Sequence, residues 1–197
     1  MLALETMSLN RPLRIFLCDL THVSQIVASE IFPLNIGFVA TYCKKKFDER
    51  VDISLFKYPH DLVQAFRESS PDIIAFSNYI WNLDLSYSLA SQIKKEYPEI
   101  PVIFGGPNYP SILSEQENWL RSRPNIDIYI YKDAEVPFST IIEHLLENEP
   151  IEEIKKRALP SSHAISSNHI FYAGPLAERI KELDILPSPY LGKFFDK

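Results

Sequence analysis

Cysteine is nearly missing: Cys18 and Cys43 are the only two in 197 residues. One falls in a stretch that reads as a strand and the other in a stretch that reads as a helix. They do not suggest a disulfide framework, and a reducing cytoplasm is the expected compartment. Two thiols are also too few for an iron–sulfur cluster that needs three or four. Long apolar runs are missing too. No stretch reaches the roughly 20 residues that span a bilayer, and Met1 to Arg11 lacks the charged-then-apolar order of a signal peptide. Excess positive charge is absent: 20 Lys and Arg against 26 Asp and Glu leave a net charge of −6. No nucleic-acid partner and no membrane partner is therefore expected. The one basic cluster, Lys44-Lys45-Lys46, ends a helical stretch, where it complements the helix dipole. Glycine is scarce at five residues. Neither G-x-G-x-x-G nor G-x-x-x-x-G-K occurs, which excludes the common dinucleotide and P-loop cradles.

What is present is an alternation of short apolar runs and longer helical stretches. Strands are predicted at 13–18, 51–56, 72–76, 101–104 and 126–131. Helices are predicted at 33–47, 59–68, 83–97, 112–120 and 136–146. Five β/α units imply a parallel sheet with helices on both faces. The expected fold class is α/β, a flavodoxin-like (Rossmann-type) doubly wound five-stranded parallel sheet of order 2-1-3-4-5. On this reading an extension precedes the domain at 1–12, and the α/β domain fills 13–149. Residues 150–197 would form a connector, with a short helix at 151–156, a small hairpin at 165–172 and a proline-rich, aromatic tail.

Three loops follow the carboxyl ends of predicted strands, where open α/β sheets build their ligand crevice. They are Asp19-Leu20-Thr21-His22, Ser77-Asn78-Tyr79-Ile80-Trp81-Asn82 and Gly105-Gly106-Pro107-Asn108-Tyr109. Together they suit a large flat ligand. Adjacent glycines permit positive φ and close approach of a ligand to the backbone, although a tight βα turn alone also accounts for them. Ser77 offers a hydroxyl and Tyr79 and Trp81 offer ring surface. The same loop suits a helix cap from Ser77 or Asn82, with Trp81 in the core. Asp133-Ala134-Glu135 opens the fifth helix, where carboxylates stabilise the N-terminus. Glu135 could also face the crevice. Asp19 with Lys132 evokes the phosphoacceptor site of receiver domains, but the second acidic residue near the first strand is missing. The histidines at 22, 60, 144, 163 and 169 have no metal-ligand spacing. No nucleophile–base pattern suggests catalytic residues.

Four stretches carry a resemblance: Pro33 to Ala40, Pro71 to Asn82, Ile103-Phe104-Gly105-Gly106-Pro107, and Leu183 to Leu191. They are similar to the N-terminal cobalamin-binding domain of cobalamin-dependent radical S-adenosylmethionine enzymes, in its helix after strand one, its third strand and loop, its Gly-Gly-Pro turn and its linker into the catalytic barrel. The resemblance implies a corrinoid carrier. Ser77 and Tyr79 would line the pocket for the cofactor's nucleotide tail. Gly105 and Gly106, with Pro107, would leave room for that tail beside the sheet. Ile80, Trp81 and Asn82 would lie under the corrin ring, and Asp133, Ala134 and Glu135 would touch its rim. Leu20, Thr21 and Asn78 complete the implied site. Where cobalt-ligating cobalamin domains have D-x-H-x-x-G, this chain reads Asp19-Leu20-Thr21, with His22 one residue late, so no protein histidine ligand to cobalt is expected. The family's G-E-G-E after strand five appears as Lys132-Asp133-Ala134-Glu135. The C-x-x-x-C-x-x-C cluster motif is absent, so the expected role is non-catalytic: a fragment, truncated product or stand-alone subunit that serves a radical S-adenosylmethionine catalytic domain in cis or in trans. Two alternatives are a cofactor-free interaction module whose 187–191 tail docks a partner, and a flavodoxin-like FMN binder using Thr21 and Ser24.

Overall fold

The computed structural model describes residues 11–22, 32–192 and 194–195; Ser24 lies outside them. The element order is β1 (Leu13–Cys18), α1 (Leu34–Phe47), β2 (Val51–Phe56), α2 (Pro59–Glu68), β3 (Ile73–Ser77), α3 (Leu83–Glu96), β4 (Val102–Gly105), α4 (Leu113–Arg121), β5 (Ile128–Ile130), α5 (Glu135–Leu146), α6 (Ile151–Lys156), β6 (Ser162–Ile165) and β7 (Phe171–Ala173). Strand order is β2-β1-β3-β4-β5-β6-β7. The first five strands are parallel. The chain direction along the sheet reverses between β1 and β3, which sets the crevice at their carboxyl ends.

The expected sheet of five strands is corrected to seven. β6 pairs antiparallel with β5, and β7 pairs antiparallel with β6. The physical reason lies in β5. Ile128, Tyr129 and Ile130 are all buried, so both faces of this strand are covered and its outer edge needs a backbone partner. The hairpin turns at Ser167 and Asn168.

Strand alternation sorts the core into two halves. Ile15, Leu17, Ile73, Ile103 and Ile130 face α1, α5 and α6. Phe16, Cys18, Ile74, Phe76 and Phe104 face α2, α3 and α4. In α1, Ile36, Val39, Ala40 and Cys43 fall on one face by the 3.6-residue period, and all are buried. Lys44, Lys45 and Lys46 occupy its last turn, with the Lys44 ammonium donating to the carbonyl of Asp48 at 2.8 Å.

The tail packs back on α1. Thr41 Oγ1 donates to the carbonyl of Pro187 at 2.8 Å, and Lys45 Nζ donates to that of Ile185 at 2.9 Å. Gly37 makes the approach possible, since a Cβ there would lie 2.7 Å from the Phe195 ring. No helix of the described residues is long and apolar enough to cross a membrane.

Candidate functional site

Register places two rows of side chains on the α1/α5 face of the sheet. Leu17, Ala75 and Ile103 form the lower row. Ser77, Gly105 and Ile130 form the upper row, at the carboxyl edge. Small residues stand in the middle of both. Ala75 sits on a strand paired on both sides, and it is nevertheless only half-buried. The space above it is open. It belongs to a cleft of about 1050 Å³ that runs from the carboxyl edge down between the sheet and α1 and α5. Apolar side chains from Ile36, Val39 and Phe138 complete the deep wall. A cavity of this size, with a mostly apolar lining and a few polar groups, is of the kind that takes a cofactor.

The loop after β3 is rigid because its polar side chains face inward. Ser77 donates its hydroxyl to Asp19 Oδ1 at 2.5 Å. Asn82 is fully buried and donates its amide to Ser77 Oγ at 3.2 Å and to Asp19 Oδ1 at 3.3 Å. Its side-chain carbonyl accepts from the backbone N–H of Tyr79 at 2.8 Å. Asn82 stands at the N-cap of α3, but no side-chain cap bond forms. Burial pushes the Asp19 carboxyl above its ordinary value, while the Ser77 hydroxyl and the charge of Lys57 pull it back.

Asn78 is the second anchor, also fully buried. Its N–H donates to the carbonyl of Gly105 at 2.6 Å, and its amide donates to Asn108 O at 2.6 Å and to Tyr129 Oη at 2.9 Å. Tyr129 then donates to the carbonyl of Gly106 at 2.9 Å. This network welds the serine loop to the glycine turn.

Of the residues singled out from the sequence, Ser77, Tyr79, Gly105, Gly106, Pro107, Asp133, Ala134 and Glu135 line the cleft. Others take different places. Leu20 is buried in the core half that holds Phe16 and Phe56. Thr21 is buried, with its N–H bonded to the carbonyl of Lys57 at 3.0 Å. Asn78 and Asn82 brace loops instead of presenting their side chains to the cleft. Ile80 and Trp81 stand outside the lining at 82% and 53% exposure, so Trp81 is not core. The Trp81 ring stacks on Tyr79 at 4.5 Å, and its carbonyl lies 3.2 Å from His22 Nε2. Tyr79 Oη accepts from Asn35 Nδ2 at 2.9 Å, which ties this loop to α1.

The sequence reading missed Ala75, Asn35, Phe138 and the wall that β6 and β7 add. Ala75 carried a signal, as the one small residue in the apolar run Ile73-Ile74-Ala75-Phe76. On the added wall His163 is buried, with Nδ1 3.1 Å from Tyr109 Oη, and burial pulls its pKa down to about 4. Lys132 adopts φ +66°, a left-handed backbone more often taken by glycine. The loop after β5 thus keeps a glycine-like path at Lys132.

A family profile described as the B12 binding domain matches residues 23–142. The chain belongs to this family. Its relatives include the cobalamin-dependent radical SAM methyltransferase TokK of Streptomyces tokunonensis, 30% identical over 165 residues, 81% of this chain and 23% of TokK. A second is the 2-(S-pantetheinyl)-carbapenam-3-carboxylate methyltransferase of Streptantibioticus cattleyicolor, 26% identical over 83% of this chain and 24% of the relative. Among solved structures, the cobalamin-dependent S-adenosylmethionine radical enzyme OxsB, with aqua-cobalamin and S-adenosylmethionine bound, shares the fold. It matches with TM-score 0.67 at 17% identity, over 94% of this chain and 25% of OxsB. This B12-binding domain therefore spans about a quarter of the length of the relatives it matches.

Proposed function

We propose that the chain holds a corrinoid in the cleft at the carboxyl edge of its sheet and carries it for a radical S-adenosylmethionine catalytic domain, in cis or in trans, in the cytoplasm. The observation that carries this reading is Ala75: a central-strand position left half-open, with Gly105 beside the same slot. Nothing bulky fills the space where a side arm would thread. Ser77 and Tyr79 would hold that arm at the mouth, and Asp133 to Glu135 would meet the ring's edge. Ile80 and Trp81 offer exposed apolar surface beside the opening. When bound, the corrinoid would supply cobalt-centred group transfer, which the protein's own side chains cannot perform. The chain's contribution is to orient the cofactor, to hold its arm away from water and to leave the reacting face toward the partner. Thr21 is buried and no histidine replaces it at that position, which supports binding without a protein histidine ligand to cobalt.

Anaerobic incubation with hydroxocobalamin, then gel filtration with visible detection, tests this function. Co-elution of corrinoid absorbance with the protein is expected, and its loss in Ala75→Leu. A wild-type protein that elutes without corrinoid absorbance refutes the function and leaves the cofactor-free interaction module.

A further inference from the structure

The cleft straddles the carboxyl edge of the sheet. Ala75, Ile130 and Phe138 line it on the α1 and α5 face. Tyr109 and Tyr131 line it too, and both pack against the core half that α2, α3 and α4 cover. His163 belongs with them. It lies directly opposite Tyr129 in the β5–β6 ladder, so its ring takes the same face as that tyrosine. The cleft therefore has a second lobe, between the start of α4 and the β6–β7 hairpin.

The polar side chains of this lobe are uncharged. The charged residues of the cleft, Lys132, Asp133 and Glu135, all lie in the loop after β5 and the first turn of α5. Burial lowers the His163 pKa to about 4, so its ring is neutral at pH 7. The Tyr131 hydroxyl is already engaged, donating to the carbonyl of Gly174 at 2.9 Å. Tyr109 Oη donates to the carbonyl of Gln116 at 3.4 Å and lies 3.1 Å from His163 Nδ1. With the tyrosine proton directed at that carbonyl, Nδ1 carries the imidazole proton and donates it to Tyr109 Oη. Nε2 then keeps a lone pair. His163 is only 2% exposed, and Nε2 has no hydrogen-bond partner among the described residues. A ligand group that enters this lobe meets a buried acceptor in need of a donor.

Resting on the corrinoid reading above, we infer that the lobe is a subsite for a primary carboxamide. It receives a propionamide arm from the rim of the corrin ring, with His163 Nε2 accepting from the amide N–H, and it turns away a carboxylate in the same place. A primary amide brings two N–H donors and no charge. A carboxylate brings acceptors alone. Its lone pairs would face that of Nε2, and its charge would lose water without gaining a partner. Discrimination comes from the mismatch as much as from the bond.

The test is equilibrium binding of four probes to the full chain, read by absorbance after rapid separation. They are hydroxocobalamin and its three monocarboxylic acids, each with one propionamide converted to a carboxylate. One of the acids is expected to bind about tenfold or more weakly than hydroxocobalamin. In His163→Phe that difference should disappear. In Tyr109→Phe it should shrink, because the ring still stacks on Tyr129 but no longer fixes the imidazole proton. Tyr109→Phe decides if His163→Phe does not fold. Equal binding of all four probes overturns the subsite and leaves the carrier function standing. A difference that persists unchanged in either variant overturns the assignment to His163 and points to Asp133 and Glu135 as its source. Failure of hydroxocobalamin to bind the unaltered chain refutes the corrinoid function itself.

Discussion

An ideal Cβ on Gly106 would lie 2.6 Å from the carbonyl oxygen of Asn78, on a backbone at φ +136°. One on Gly105 would lie 3.3 Å from the carbonyl oxygen of Ile130 and 3.7 Å from its Cβ, which is tight but near ordinary contact. Gly105 therefore leaves room in the slot, and Gly106 lets two loops touch. Gly106→Ala is expected to cost about 1–3 kcal/mol of stability, from strain and a backbone clash. Gly105→Ala should cost less than about 1 kcal/mol and weaken corrinoid binding instead. Urea unfolding of both variants, beside corrinoid titration, separates the two roles. Equal destabilisation would contradict this division. The pair was legible in the sequence as a special turn. Which glycine faces the slot was not, because that depends on the register between β3 and β4.

At the scale of elements, one buried carboxylate ties several together. Asp127 is 7% exposed and receives Lys94 Nζ at 2.6 Å, Lys155 Nζ at 2.9 Å and the N–H of Val102 at 2.8 Å. It joins the start of β5 to β4, α3 and α6. Removing one partner leaves the buried Lys155 with only Glu152, at 2.5 Å. Asp127→Ala is expected to lose about 3 kcal/mol, measured as a shift in urea midpoint. Breaking the exposed Lys156–Glu153 pair with Glu153→Ala should shift the urea midpoint far less, because solvent screens the pair. A smaller loss in Asp127→Ala than in Glu153→Ala would overturn this ranking. The helices and the first four strands were legible to within a residue or so, since their apolar periods and terminal prolines act locally, whereas β5 is shorter than the expected 126–131 and the hairpin strands β6 and β7 do not fall within the expected 165–172. Asp127 carried no signal, because its partners come from positions 94, 102 and 155.

Over the whole molecule, the hairpin links stability to pH. His163 pairs with Tyr129 across β5 and β6 and packs against Tyr109, Tyr131 and Phe171. Burial lowers its pKa from 6.5 to about 4. The unfolded chain therefore takes up this proton first as the pH falls. Its contribution to stability is complete above pH 6.5 and is lost as the pH drops toward about 4. His163→Gln should flatten the stability curve across that window, measured by urea midpoints at stepped pH. An unchanged slope would show that His163 does not carry the dependence.

The amino-acid sequence by itself determined the β/α alternation, the order of the parallel strands, the crevice loops and the family, because periodicity, turn chemistry and short motifs are local properties. Tertiary structure alone decided that β6 and β7 extend the sheet, since the edge of β5 finds its partner about 35 residues later in the chain. It also decided that Asn78 and Asn82 brace while Ala75 opens the slot. Whether a side chain lines a cleft or supports one depends on what packs behind it, and those neighbours are brought together only by folding.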